Sequence, residues 1–306
     1  MVPLANREKT IMSHRHIRTM LALTLPFLIS ACSISDVAQL KSREITKTDY
    51  RSHLAEKYRH LSVFESEQMM DHIDAGLFAR KGLAALDTPT PPVPENPGQW
   101  SIDDVYLPAI MAAQKQLLTA LSLTLHNRHP EAMAEAVTAF DCWLEQAEEG
   151  WQTDHIAACQ QRFEGALQAL ADESGYRFDG AGRAHRQVTL HYPVDQAALA
   201  IADTIKLDTL LSELPAGQTF TAHIIGHADR LGSEAHNDGL SRRRALTVHR
   251  RLIELGAAPR TLGVAWRGEN APLVHTADNM PDARNRRTEI IWTIYPQQPP
   301  AAQATR

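Results

Sequence analysis

Side chains of unlike chemistry gather around the stretch GHADRLGSEAHNDGLSRRRAL, Gly226 to Leu246. The apolar run Thr219 to His227 reads as a strand, so Asp229 is expected just beyond its C-terminal end, where open α/β sheets collect ligand-binding groups. The segment after it, Glu234 to Leu255, reads as a helix. Turned at about 100° per residue, it has an apolar arc of Leu240, Val248, Leu252 and Leu255, with Asn237 and Arg244 inside that arc and Arg242, Arg243 and Arg250 outside it. Asn237 and Arg244 are two turns apart, ~10 Å along the axis. A guanidinium turned inward needs an acceptor, because a buried charge without a partner is strongly destabilising. Two arrangements satisfy this. In one, Asp229 and Arg244 form a structural ion pair and Asn237 helps to cap the helix. In the other, the two charges flank a cleft and bind a zwitterion, an ammonium at Asp229 and a carboxylate at the bidentate fork of Arg244.

The surrounding residues suggest neither metal chemistry nor catalysis. His223, His227 and His236 lie nearby, but no carboxylate spacing completes a metal set. His155, Cys142 and Cys159 would still want a fourth ligand for zinc. No Gly-x-Ser-x-Gly, His-Glu-x-x-His or comparable signature is present. The expectation is a binding protein with no catalytic residues, no metal and no cofactor.

The elements that must position these residues occupy the second half of the chain. Strands at Gln187 to Tyr192, Thr219 to His227, Leu262 to Arg267 and Arg287 to Tyr295 alternate with helices at Asp195 to Leu214 and Glu234 to Leu255, a βαβαββ order. Before them the periodicity is helical: Tyr50, Leu54, Tyr58 and Leu61 recur at helical spacing, followed by Ile73, Leu77 and Leu83. Further helices are expected at Val105 to His126, Glu131 to Glu148 behind Pro130, and Thr153 to Ala171. DTPTPPVPENPG, residues 87–98, must be a loop, because proline removes donors and fixes φ. The fold class is therefore α+β: an all-helical domain at 46–175, a Gly-rich linker at 176–186, an α/β sandwich at 187–296 with helices on a mixed sheet, and a disordered tail at 297–306.

The first residues bear on compartment. Arg7, Lys9, Arg15 and Arg18 precede an apolar run from Met20 to Ala31, which is shorter than the ~20 residues a membrane span needs. It reads as a signal peptide at 1–31, starting at Met1 or Met12. Ile29-Ser30-Ala31-Cys32 resembles the bacterial lipobox, which implies lipidation at Cys32 and a lipidated tether at 32–45. By resemblance to lipoprotein sorting in enteric-type bacteria, Ser33 favours the outer membrane. Cys142 and Cys159 then form an even pair in an oxidising compartment, either cross-linked across a helical hairpin turning near Gly150 or left as buried thiols. A net charge of −5 over 306 residues leaves no basic footprint for nucleic acid.

The stretch GHADRLGSEAHNDGLSRRRA, followed by WRGENAP and NRRTEI, resembles the OmpA-like peptidoglycan-binding domain shared by OmpA, the peptidoglycan-associated lipoprotein and the flagellar stator protein. The pattern matches at Asp229, Gly232, Asn237, Leu240, Ser241, Arg244, Ala245, Asn285, Arg286 and Arg287, and covers about 187–295. The resemblance implies that Asp229 and Arg244 hold the ammonium and carboxylate of diaminopimelate in the peptidoglycan stem peptide, with Asn237 as a supporting contact. Arg286 is a weaker candidate whose alternative role is packing or ion pairing. Ala228 departs from the family's Thr, which removes one hydroxyl. The expected function is an outer-membrane lipoprotein on the periplasmic face that tethers the membrane to the cell wall. The alternative is a wall-anchored adaptor whose helical domain recruits an envelope partner in secretion, motility or division.

Overall fold

The computed structural model describes residues 33–296. Cys32, the segment 1–31 read as a signal peptide and the tail 297–306 lie outside the described residues. The chain divides into two compact units that meet at Pro92 and Val93, inside the proline-rich loop.

The first unit carries helix α1 at residues 33–42, α2 at Tyr50–Phe64 and α3 at His72–Asp87. A capping box opens α2: Asp49 Oδ1 accepts from the Ser52 amide at 2.9 Å, and Ser52 Oγ accepts from the Asp49 amide at 3.0 Å. Residues 33–42, expected to be a tether, are instead a packed helix. Gly76 and Gly82 lower the surface of α3 at the places where Ser33 and Leu40 of α1 rest, and Val37, Leu40, Ala75 and Ala79 form a small apolar core.

The second unit begins with helices α4 at Leu107–Ser122, α5 at Pro130–Glu149 and α6 at Thr153–Ser174. The helix expected to continue to His126 stops at Ser122. Thr124 turns left-handed there, φ 52°, and a short 3-10 turn, Leu125–Asn127, follows. Gly150, at φ 73°, closes α5 and reverses the chain into α6, which brings Cys142 and Cys159 together as a disulfide with Cα atoms 5.7 Å apart. Closing a loop of this size stabilises by about 3 kcal/mol in the chain-entropy view.

The segment 176–186 is not a free linker. It forms a hairpin between strands β1, Arg177–Phe178, and β2, Ala184–His191. The Asp179 carboxylate accepts from the amides of Ala181 and Arg183 at 3.0 Å each, and Thr119 of α4 donates to the Gly182 carbonyl at 2.6 Å. A glycine-rich stretch with an Asx-type turn and a docked carbonyl is thus part of the sheet edge.

The remaining elements are α7 at Ile201–Ser212, β3 at Phe220–Gly226, α8 at Glu234–Glu254, β4 at Leu262–Trp266 and β5 at Arg287–Ile294. The sheet order is β1-β2-β5-β3-β4, with β3 and β4 parallel and the other neighbours antiparallel. From β2 onward this is the expected βαβαββ order, and the whole is α+β. Val188, Leu190, Ile224, Ile290 and Trp292 of the sheet pack on Leu207, Leu210, Val248 and Leu252 of the helices. One close approach sets the position of α8: a Cβ at Gly226 would collide with the Ser241 carbonyl oxygen, so only glycine lets the helix lie on the end of β3. Helix α7 starts at Ile201 rather than Asp195. Residues 193–200 are loop, with Asp195 left-handed at φ 54°. Among the described residues, no helix is long and apolar enough to cross a membrane.

Candidate functional site

Strand β3 delivers Asp229 three residues beyond its end, and the chain turns through Gly232, φ 99°, into α8. Ser233 caps that helix, its Oγ accepting from the His236 amide at 3.3 Å, so the cap is not Asn237. Asn237 lies on the inner face one turn further along. These segments enclose a pocket of about 450 Å³ lined by Val194, Asp195, Asp229, Ser233, His236 and Asn237, with Leu231 and Leu240 supplying apolar surface. The volume falls within the range of small-ligand sites, ~300–1,000 Å³. His236 Nε2 and Asp195 Oδ1 meet at 2.8 Å.

The charges are paired differently from either sequence reading. Asp229 is 3% exposed, and its Oδ2 takes a hydrogen bond from Arg286 Nη1 at 2.9 Å. Arg286 also donates from Nε to the Tyr192 carbonyl at 3.0 Å. Among the described residues Oδ1 of Asp229 makes no hydrogen bond, so the pocket receives a carboxylate with one oxygen uncommitted. Arg244 is fully buried and does not line the pocket. Its Nε donates to the Gln196 carbonyl at 2.8 Å, Nη1 to the His227 carbonyl at 2.8 Å and Nη2 to the Pro193 carbonyl at 3.3 Å, while the guanidinium carbon sits 4.9 Å from the centre of the Tyr192 ring. Burial lowers its pKa to about 10, which leaves it charged at neutral pH. Carbonyl oxygens, and not Asp229, supply the acceptors that an inward guanidinium requires. A backbone loop at 193–196 can do this because its residues are not helical and its carbonyls are free to turn inward.

The other residues of the motif mostly hold this corner together. Ser241 Oγ accepts from the Gly268 amide at 3.0 Å, and the Gly268 carbonyl accepts from the Ala228 amide at 2.8 Å. Asn285 clasps both the amide and the carbonyl of Val274, at 2.9 and 2.7 Å. Arg287 Nε donates to Glu289 at 2.7 Å. His227 is buried beside Arg287; burial first, and then the Arg287 charge, pull its pKa down to about 4, so it is neutral at pH 7. His236, considered above only as part of a metal set, lines the pocket, and two residues without a site role in the sequence reading also bear on it: Asp195, which lines it, and Glu269, which accepts a hydrogen bond from Asn237 Nδ2 at 2.6 Å. Glu269 lies inside WRGEN, a part of the motif whose spacing alone assigns no role.

The family model for the OmpA family matches residues 192–286. Outer membrane porin F of Pseudomonas fluorescens is 33% identical over 87 residues, 28% of this chain and 26% of the porin. Outer membrane protein A of Bordetella avium is 30% identical over 99 residues, 32% of this chain and 51% of that protein. The match thus spans between a quarter and a half of these relatives' own lengths. The crystal structure of the peptidoglycan-associated lipoprotein from Burkholderia pseudomallei aligns at 22% identity and a TM-score of 0.30, covering 34% of this chain and 88% of that one. The family match coincides with the pocket, the strand end and the helix that build it, and the C-terminal part of this chain is therefore an OmpA-like domain.

Proposed function

We propose that the protein binds peptidoglycan noncovalently at the Asp229 pocket, through the zwitterionic end of diaminopimelate in the stem peptide. We further propose that it is lipidated at Cys32 and so tethers the outer membrane to the cell wall. The observation that carries this reading is a pocket in which an uncommitted carboxylate oxygen and the first turn of a 21-residue helix face the same space. The ammonium goes to Asp229, with Asn237 beside it. The carboxylate goes to the N-terminal turn of α8, where free backbone amides and the positive end of the helix favour an anion. Arg244 adds its charge from behind the loop, and it meets the carboxylate directly only where the Pro193 and Gln196 carbonyls give way. Arg286 holds Asp229 in place.

No catalyst is required for this role. Each contact is weak, but a lipid anchor would confine every copy near the wall and raise its effective concentration. The relatives' names place those proteins in the outer membrane, which supports the same compartment here. The test is cosedimentation of the full chain with purified peptidoglycan. The parent is expected in the pellet and Asp229→Asn in the supernatant. Equal sedimentation of both would overturn the site assignment.

A further inference from the structure

Asn237 is 1% exposed and lines the pocket. Its Nδ2 donates to Glu269 Oε2 at 2.6 Å, while its Oδ1 is buried with no hydrogen-bond partner. An amide can present either its oxygen or its nitrogen to a neighbour, and only the neighbour's chemistry decides which. A carboxylate accepts and never donates when ionised, so Glu269 forces the Asn237 nitrogen toward itself and leaves the oxygen as the free polar atom. Glu269 is held in turn: Arg230 Nε stands 3.6 Å from Oε1, and Arg230 also pairs with Asp278 and donates to the Thr276 carbonyl at 3.0 Å. A buried acceptor without a donor is costly to leave unmade, and a ligand donor entering the pocket relieves that cost.

We infer that Glu269 is a positioning residue that fixes the side-chain amide of Asn237 with its oxygen toward the pocket, so that Asn237 Oδ1 and Asp229 Oδ1 together read an ammonium group. This rests on the pocket being the diaminopimelate site proposed above, and it names what selects the ligand's charged end there. The consequence of Glu269→Gln follows from Arg230. The guanidinium attracts the Gln oxygen, which turns the Gln nitrogen toward Asn237. Asn237 must then flip, and its own nitrogen, a donor, faces the incoming ammonium. The hydrogen bond between positions 237 and 269 survives, but the pocket loses an acceptor.

The experiment is calorimetric titration of the full chain with a meso-diaminopimelate-containing tetrapeptide, with a thermal melt of each variant. E269Q is expected to bind at least about tenfold more weakly than the parent, the weight of one hydrogen bond to a charged group, with its melting temperature unchanged. The exchange N237D/E269Q lets the Gln nitrogen donate to one oxygen of the new carboxylate and leaves the other oxygen toward the pocket. It is expected to bind within about threefold of the parent, since the acceptor is restored. Parent-like binding by E269Q would overturn the inference, as would weak binding that the exchange does not recover. Should E269Q fold poorly, the exchange variant decides alone: retained binding supports the inference and lost binding overturns it. Failure of the parent itself to bind would instead overturn the diaminopimelate reading, and this inference with it.

Discussion

Arg244 offers the sharpest quantitative test, because a residue expected to face ligand is fully buried and anchored to three carbonyls. Replacing it with alanine leaves the His227 carbonyl, inside the domain, without this donor, at about 1–3 kcal/mol. The carbonyls of Pro193 and Gln196 belong to exposed residues and can turn to water, so they contribute little. Losing the cation–π contact with Tyr192 adds up to about 2 kcal/mol for a desolvated pair. Removing a buried charge also removes its desolvation cost, which offsets part of the loss. The net expectation is about 3 kcal/mol of destabilisation. At roughly 2–4 °C per kcal/mol for a unit of this size, that lowers the melting temperature by about 6–12 °C. Arg244→Lys, which keeps the charge and one or two donors, should lose about half as much. Urea unfolding followed by circular dichroism of the parent and both variants measures these differences. A result for Arg244→Ala within about 0.5 kcal/mol of the parent, as expected for an ordinary surface change, would refute the role of Arg244 as the peg that pins loop 193–196 to the end of β3.

Two further outcomes follow from the packing and the charge around this corner. Gly226→Ala drives a methyl group into the Ser241 backbone and should destabilise the domain by about 3 kcal/mol; an unchanged urea midpoint would show that α8 can shift freely. His227 has a folded pKa of about 4 against an ordinary 6.5, so the unfolded chain binds the extra proton first. Its contribution is therefore full above about pH 6.5 and lost as pH falls toward 4, at most about 3 kcal/mol. His227→Gln should flatten the fall in stability between pH 7 and 4.5, and an identical slope in both proteins would contradict the buried neutral imidazole.

Much of the architecture was legible because it rests on local chemistry. Hydrophobic periodicity and the glycine and proline punctuation place α2, α5, α6, α8, β3 and β5 within a few residues of their observed bounds. The inward facing of Asn237 and Arg244 follows from helix geometry alone. What the sequence hides is choice of partner. Asp229 has two arginines within reach of the fold, one on the following helix and one 57 residues away in sequence, and only the return of the chain into β5 brings Arg286 to it. Main-chain carbonyls leave no mark in a sequence, so the acceptors of Arg244 could not be read from residue types. The same blindness applies to α1 and to the segment 176–186: their polar, small or glycine-rich residues read as tether and linker until the surfaces they dock on are in place. Glu269 belongs to this class too, since its effect runs through the orientation of another side chain.

The central claim is that the pocket beside Asp229 recognises an amino-acid centre bearing both charges. The most direct measurement compares two tetrapeptides, identical except that one carries meso-diaminopimelate and the other lysine, by calorimetric titration against the parent chain and Asp229→Asn. Lysine presents an ammonium but no second carboxylate at that end. Binding of the diaminopimelate peptide by the parent, with loss of affinity for the lysine peptide and for the variant, is the predicted result. Equal affinity for the two peptides, or undiminished binding by Asp229→Asn, would contradict it.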